Sequence, residues 1–292
     1  KSLLSNTCGA ANTAIGIETL QDNTTGGSSV AMGYRAGYDN TTGTVVAIGA
    51  NALCSNTVGY RNIAIGMAAM RKNSSGGYNT AVGTKSLYFN STGCHNTASG
   101  VYSLRDNTTA SFNTAFGTCA LHSNTTGHSN TSVGRASLVA NTTGCFNVSV
   151  GYNALVSNTT AINNTAVGSC ALATNSTGTN NVALGFETLK ANTTGGCNTG
   201  MGNLTMAANT TGAGNTALGR AALNENTTGA CNVGVGYGAL ESNTTGGANV
   251  AVGRDALTSN TSANYNTAIG ACAGHANTTG DCITAVGYKT LL

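Results

Sequence analysis

In this 292-residue chain fifteen asparagines of one recurring series open the triplet Asn-x-Ser/Thr: Asn23, Asn40, Asn73, Asn90, Asn107, Asn124, Asn141, Asn158, Asn175, Asn192, Asn209, Asn226, Asn243, Asn260 and Asn277. In a chain that passes through a secretory pathway this triplet accepts an N-linked glycan. Asn163 and Asn203 open further triplets outside that series, as do Asn130 and Asn147. The triplet also arises with no sugar intended, from Asn chosen for a turn and Thr for extended backbone. Ten cysteines are the second chemical signal, and none forms a Cys-x-x-Cys pair. Zinc is therefore not expected, and an even count beside sugar acceptors points to disulfides in an oxidising compartment. The candidates are Cys94, Cys119, Cys145, Cys170, Cys197, Cys231, Cys272 and Cys282.

Catalysis needs convergent acids, bases or nucleophiles. The four histidines offer no such set, and neither a carboxylate column nor a Gly-Gly-x-Gly-x-Asp calcium repeat is present. The expectation is a non-enzyme with no cofactor and no metal. Charged residues make up 7% of the chain and its formal charge of +3 reads as scattered. Nucleic acid and anionic membrane are thus not expected partners. Apolar runs of four to five residues are too short for membrane insertion, and the opening Lys1-Ser-Leu-Leu-Ser is not a signal peptide. The chain reads as a mature product or a window on a longer one.

The elements that position these residues come from a repeat. A glycine recurs at 16, 33, 49, 66, 83, 100, 117, 134, 151, 168, 185, 202, 219, 236, 253, 270 and 287, seventeen residues apart except for one interval of sixteen between Gly33 and Gly49. A fixed period of this size marks copies that stack on their neighbours, so residues 1–292 read as a single repeat array with no internal boundary. Counting that glycine as phase 0, phase −1 is aliphatic or aromatic in every copy but Ser99, and phase −3 is always Thr, Val or Ile. β-Branched residues favour extended backbone, which predicts a strand ending at the glycine with phase −1 in the core. Leu dominates phase 4 and predicts a second short strand or a corner. Asn-Thr-Thr-Gly at phases 7 to 10 reads as the turn, because Asn and Gly tolerate positive φ.

Two short strands and two turns per copy give an all-β fold, a parallel β-solenoid or β-roll of seventeen 17-residue coils. In-register stacking at about 4.8 Å aligns identical residues into ladders, among them the asparagines of phase −4. Glycans on every coil of one column would have to splay at that spacing. Phases −3 and −1 face one way and phases −4, −2 and 0 the other. Phase −2 holds only Ala, Ser or Gly, which requires close approach to a second surface, either the opposite wall of the coil or another chain. An oligomer is expected, a trimer first.

Segments such as Asn-Thr-Ala-Val-Gly and Asn-Val-Ala-Val-Gly resemble the head repeats of YadA-like trimeric autotransporter adhesins, and related repeats of phage and viral tail fibres. The resemblance implies a trimer of left-handed parallel β-rolls at an extracellular, cell or virion surface. This repeat is a few residues longer and carries the added Asn-Thr-Thr-Gly segment.

The function expected is that of a structural protomer of an extracellular fibre or appendage, glycosylated and disulfide cross-linked, with itself as partner. Lys1-Ser-Leu-Leu matches Lys289-Thr-Leu-Leu292 in phase, which suits end-to-end stacking. The alternative is an adhesin or tail-fibre shaft that binds glycans or a host surface. Ice binding through threonine is disfavoured, since Thr24 and Thr25 are adjacent and point apart. Cys119, Cys170 and Cys272 share phase 2, whereas Cys94 and Cys145 hold phase 11 and Cys197, Cys231 and Cys282 phase 12. Within a coil the two sets are separated by a strand of roughly 15 to 20 Å, against the ~7 Å limit between Cα atoms of a disulfide. The pairs are therefore expected between neighbouring chains.

Overall fold

The computed structural model describes residues 1–291. The protein is an all-β parallel β-solenoid, and among the described residues there is no helix. It forms two compact units, Lys1–Phe146 and Asn147–Leu292. The first carries β1 (Thr13–Ile15), β2 (Val30–Met32), β3 (Val45–Ile48), β4 (Asn62–Ile65), β5 (Thr80–Val82), β6 (Thr97–Ser99), β7 (Thr114–Phe116) and β8 (Thr131–Val133). The second carries β9 (Val148–Val150), β10 (Thr165–Val167), β11 (Val182–Leu184), β12 (Thr199–Met201), β13 (Thr216–Leu218), β14 (Val233–Val235), β15 (Val250–Val252), β16 (Thr267–Ile269) and β17 (Thr284–Val286). Within each unit successive strands pair in parallel and in register, so Thr165 lies beside Val182 and Val182 beside Thr199.

Each strand is short, usually phases −3 to −1, and the rest of the coil is turn. Alternation along the strand holds, but the faces are the reverse of the hydrophobic expectation. The middle residue at phase −2 is the buried one, as at Ala81, Ala166 and Ala251, while phases −3 and −1 look outward. The interior is narrow. A β-carbon placed on Gly200 would meet Thr188, Met206 and Leu189, the phase 3 and 4 residues of its own and the preceding coil, so the second surface required by phase −2 is the opposite wall of the coil. Where phase −2 is serine, the opposite wall satisfies it: Ser149 Oγ donates to the carbonyl of Ala154 at 2.9 Å.

Leucine at phase 4 is buried, for example Leu104, Leu172 and Leu223, and it sits at a corner rather than in a second strand. That corner and its neighbours run through left-handed backbone. Phases 2, 4 and −5 take φ near +55° on ordinary residues, among them Glu187 (54°), Leu189 (53°) and Cys197 (58°). Such conformations cost L-residues about 1–2 kcal/mol each, so the rest of the coil must enforce them. The Asn and Gly of Asn-Thr-Thr-Gly, expected at positive φ, are not among the left-handed residues.

Those asparagines are instead the spine of the coil. Asn192 Nδ2 donates to Asn175 Oδ1 one coil earlier at 2.8 Å and to the Gly195 carbonyl at 2.9 Å, and its own Oδ1 accepts from Asn209 at 2.8 Å. The phase −4 asparagines form a second ladder against the same carbonyls, Asn181 Nδ2 reaching Gly195 O at 2.9 Å. Glycine closes the segment because a β-carbon at Gly195 would sit 2.4 Å from the Gly212 carbonyl and 2.5 Å from Asn192 Oδ1. Among the described residues no buried side-chain polar atom lacks a partner, as an amide-filled interior demands.

The sixteen-residue interval lacks its phase 11 residue. Thr44 alone joins Gly43 to Val45, which is buried in place of the usual Asn and whose N–H is accepted by Ser29 Oγ at 3.1 Å. The Asn-Thr-Thr-Gly ladder passes the shortened coil unbroken, Asn56 donating to Asn40 at 2.8 Å.

Candidate functional site: an exposed sheet face

The outward face of each unit is built from two columns. Phase −1 contributes Ile65, Val82, Phe116 and Val133 in the first unit, and Val167, Met201, Val252 and Ile269 in the second, all 37–45% exposed. Phase −3 contributes Thr, Val and Ile, half-buried or exposed in every strand. Both columns belong here for one physical reason. At phase −2 the narrow interior has room only for a small residue against the phase 3 and 4 side chains of the opposite wall, so the larger strand residues at phases −3 and −1 stand on the outside.

The face is uncharged, since no Asp, Glu, Lys or Arg occupies either column. It is also regular, because the in-register pairing repeats the same two outward positions on each strand. Scattered apolar residues on a surface need no explanation, but a contiguous apolar column does. Where a strand carries threonine at phase −3, phase −1 is not threonine, as in Thr267 and Ile269, so no Thr-x-Thr plane forms. The sequence signal that identifies this face is the small-residue restriction at phase −2.

The glycan candidates fall into two groups. Asn23, Asn40, Asn73, Asn90, Asn107, Asn124, Asn141, Asn158, Asn175, Asn192, Asn209, Asn226, Asn243 and Asn260 are fully buried. A sugar on Nδ2 would break the ladder bonds described above and has no path out of the folded coil. Asn130 and Asn147 are buried in the second ladder. Asn277 is half-buried, while Asn163 and Asn203 are exposed. The column that looks richest in acceptors is thus structural, and room for a glycan remains at Asn163 and Asn203.

All ten cysteines are free thiols. Cys197, Cys231 and Cys282 are exposed at phase 12, and Cys94, Cys119, Cys145 and Cys170 are half-buried. Cys94 and Cys145 accept from the backbone N–H groups of Gly77 and His128 at 3.3 and 3.4 Å. Cys272 and Cys54 are buried. Burial pushes the Cys54 thiol above its ordinary value of 9.0, with Asp39 adding to the effect and Arg71 opposing it.

A row of stacked rings runs along phase −5 of the first unit. Tyr78 and His95 lie 4.8 Å apart and nearly parallel, His95 and Phe112 5.2 Å, with the Arg61 guanidinium 5.4 Å from the Tyr78 ring centre. These rings turn their faces to one another, so the row serves as packing along the corner. Compared with family models and with characterised proteins, the sequence matches none.

Proposed function

We propose that the chain is a structural protomer of an extracellular fibre or appendage, whose copies associate laterally through the outward sheet face. The observation that carries this reading is the uncharged double column of phases −3 and −1. A stable interface takes about 800 Å² and roughly 20–30 residues from each partner. Nine strands in the second unit present eighteen outward side chains and eight strands in the first present sixteen, so each unit approaches that size. Further copies of the chain are the occupants that match a strictly periodic surface row for row, because they repeat at the same spacing. Two columns can each face a different neighbour, and a threefold arrangement puts the more apolar phase −1 column toward the axis with threonine at the rim. The resemblance to YadA-like head repeats supports the same arrangement.

Native mass spectrometry and light scattering test this directly. The chain should run as three copies of 28.8 kDa, and the double variant Val167→Lys, Val252→Lys should run as a single copy with unchanged circular dichroism, since both side chains are already exposed. A dimer would overturn the threefold arrangement and leave lateral association standing. A chain that stays single at every concentration would overturn both. The free thiols at phases 2, 11 and 12 are available for cross-links between the associated chains, which a non-reducing gel detects as covalent oligomers.

A further inference from the structure

The corner that follows each strand carries columns at phases 2 and 5. After β5, β6 and β7 these columns fill with cationic and aromatic groups. Lys85 and Tyr102 hold phase 2, Arg105 and His122 phase 5, and the four line a cleft of about 250 Å³. Lys85 Nζ lies 5.8 Å from the centre of the Tyr102 ring, and Arg105 stands over Phe89 at 5.5 Å. Arg105 Nη1 is 3.3 Å from His122 Nε2. A guanidinium only donates, so Nε2 accepts, and the imidazole is neutral with its proton on Nδ1. Nδ1 lies 3.3 Å from Ser123 Oγ and 3.7 Å from Asp106 Oδ2.

The charge around the cleft is unbalanced. Asp106, 3.5 Å from Arg105, is the carboxylate at the site. No acidic residue occurs between Asp39 and Asp106, whereas Arg61, Arg71, Lys72, Lys85 and Arg105 fall in that interval. Of these, Lys85 and Arg105 line the cleft, and Arg71 shares the phase 5 column with Arg105 two coils away. We propose that this cleft binds an oxyanion, a sulfate or phosphate monoester on a sugar-sized group, with Lys85 and Arg105 as its charge partners and Tyr102 beside the ring. The planar fork of arginine suits tetrahedral oxyanions, and ammonium supplies a compact second charge. Ligand pockets usually span about 300–1,000 Å³, so this cleft fits a monosaccharide ester rather than a longer chain.

His122 makes the site pH-sensitive. Burial lowers its pKa from the ordinary 6.5, Arg105 acts in the same direction and Asp106 opposes them. Tyr102, its ring 6.3 Å from the imidazole, and Lys85 across the same cleft are the other titratable groups at the site. An anion that draws Arg105 away frees Nε2 to take up a proton and donate, so affinity rises as pH falls. None of this uses the outward sheet face, and it stands or falls separately from lateral association.

Calorimetric titration of the full chain with galactose 6-sulfate, glucose 6-phosphate and uncharged galactose is the test. Saturable binding of one or both esters is expected, none of galactose, and tighter binding at about pH 6 than at about pH 8. Binding of one ester alone identifies which oxyanion the cleft takes. Lys85→Gln and Arg105→Gln should each weaken binding about tenfold or more, the loss of a charge-assisted contact. Arg220→Gln, which removes an arginine on a tyrosine outside the cleft, should leave it unchanged. No saturable binding of either ester, or native affinity in folded Arg105→Gln, overturns the proposal.

Discussion

Replacing Asn192 by alanine removes three ladder bonds at once and isolates the contribution of the amide spine. Its Nδ2 donates to Asn175 Oδ1 and the Gly195 carbonyl, and its Oδ1 accepts from Asn209. Gly195 O keeps a partner in Asn181. Asn175 Oδ1 and one Nδ2 proton of Asn209 do not, and both residues are fully buried. A buried polar group left unsatisfied costs about 1–3 kcal/mol, so the two orphans together predict a loss of about 2–6 kcal/mol. In a repeat array the damage is felt first by the neighbouring coils. Urea denaturation should show the lower stability, and hydrogen exchange should show lost protection at residues 175–212 with distant coils unaffected. A loss below about 1 kcal/mol, or exchange raised uniformly along the chain, would refute the idea that local amide ladders hold each coil.

Gly185→Ala should destabilise by about 3 kcal/mol or more, because φ is +135° and the new β-carbon would stand 2.4 Å from the Gly202 carbonyl; thermal denaturation measures it. Ala221→Gly should do the opposite, gaining up to about 1 kcal/mol, since Ala221 is held at φ 58° and only the left-handed strain is relieved. Asp39→Asn should raise stability at neutral pH. Burial and then Asp22 lift the Asp39 pKa above 3.8, with Ser55 and Arg35 opposing. The folded state therefore binds this proton more tightly than the unfolded chain, and the group's cost vanishes as pH falls through its folded pKa. Melting temperatures of the native chain and the variant should converge on acidification and differ at pH 7; a constant difference would contradict this.

The period, the strand before each glycine, the parallel register and the phase −4 ladder are legible in the sequence, because each follows from identical residues stacking at strand spacing. Which face points inward is not. Hydrophobicity assigns Val82 and Ile269 to the core, whereas the coil is too narrow for them and encloses Ala81 and Ala268. The strict limit to Ala, Ser and Gly at phase −2 contains the answer, since only an interior imposes it on every copy. The Asn-Thr-Thr-Gly segment misleads for a related reason. Its Asn and Gly suit a left-handed turn, but here they serve an amide ladder and a close approach of carbonyls. The left-handed positions lie on Leu, Cys, Glu and Lys, which propensity would not choose. Gly37, Gly214, Gly238 and Gly274, standing at those phases with φ of 61–69°, are the faint trace of them. The cleft around Arg105 is hidden for yet another reason, since its residues come together only once seventeen residues become one step along the axis.

The shortened coil at Thr44 shows which part of the repeat does not set its length. The chain loses a residue between Gly43 and Val45, yet Arg61 N–H still finds the Thr44 carbonyl at 2.8 Å and the asparagine spine runs on. Length at that corner is therefore uncoupled from the stacking on either side. Foreign peptides spliced in at the equivalent corners would emerge from one edge at a fixed and countable pitch, each anchored by an undisturbed coil above and below. Each unit is in that sense a ruler with addressable marks, on which the spacing between displayed segments is chosen by counting repeats within it.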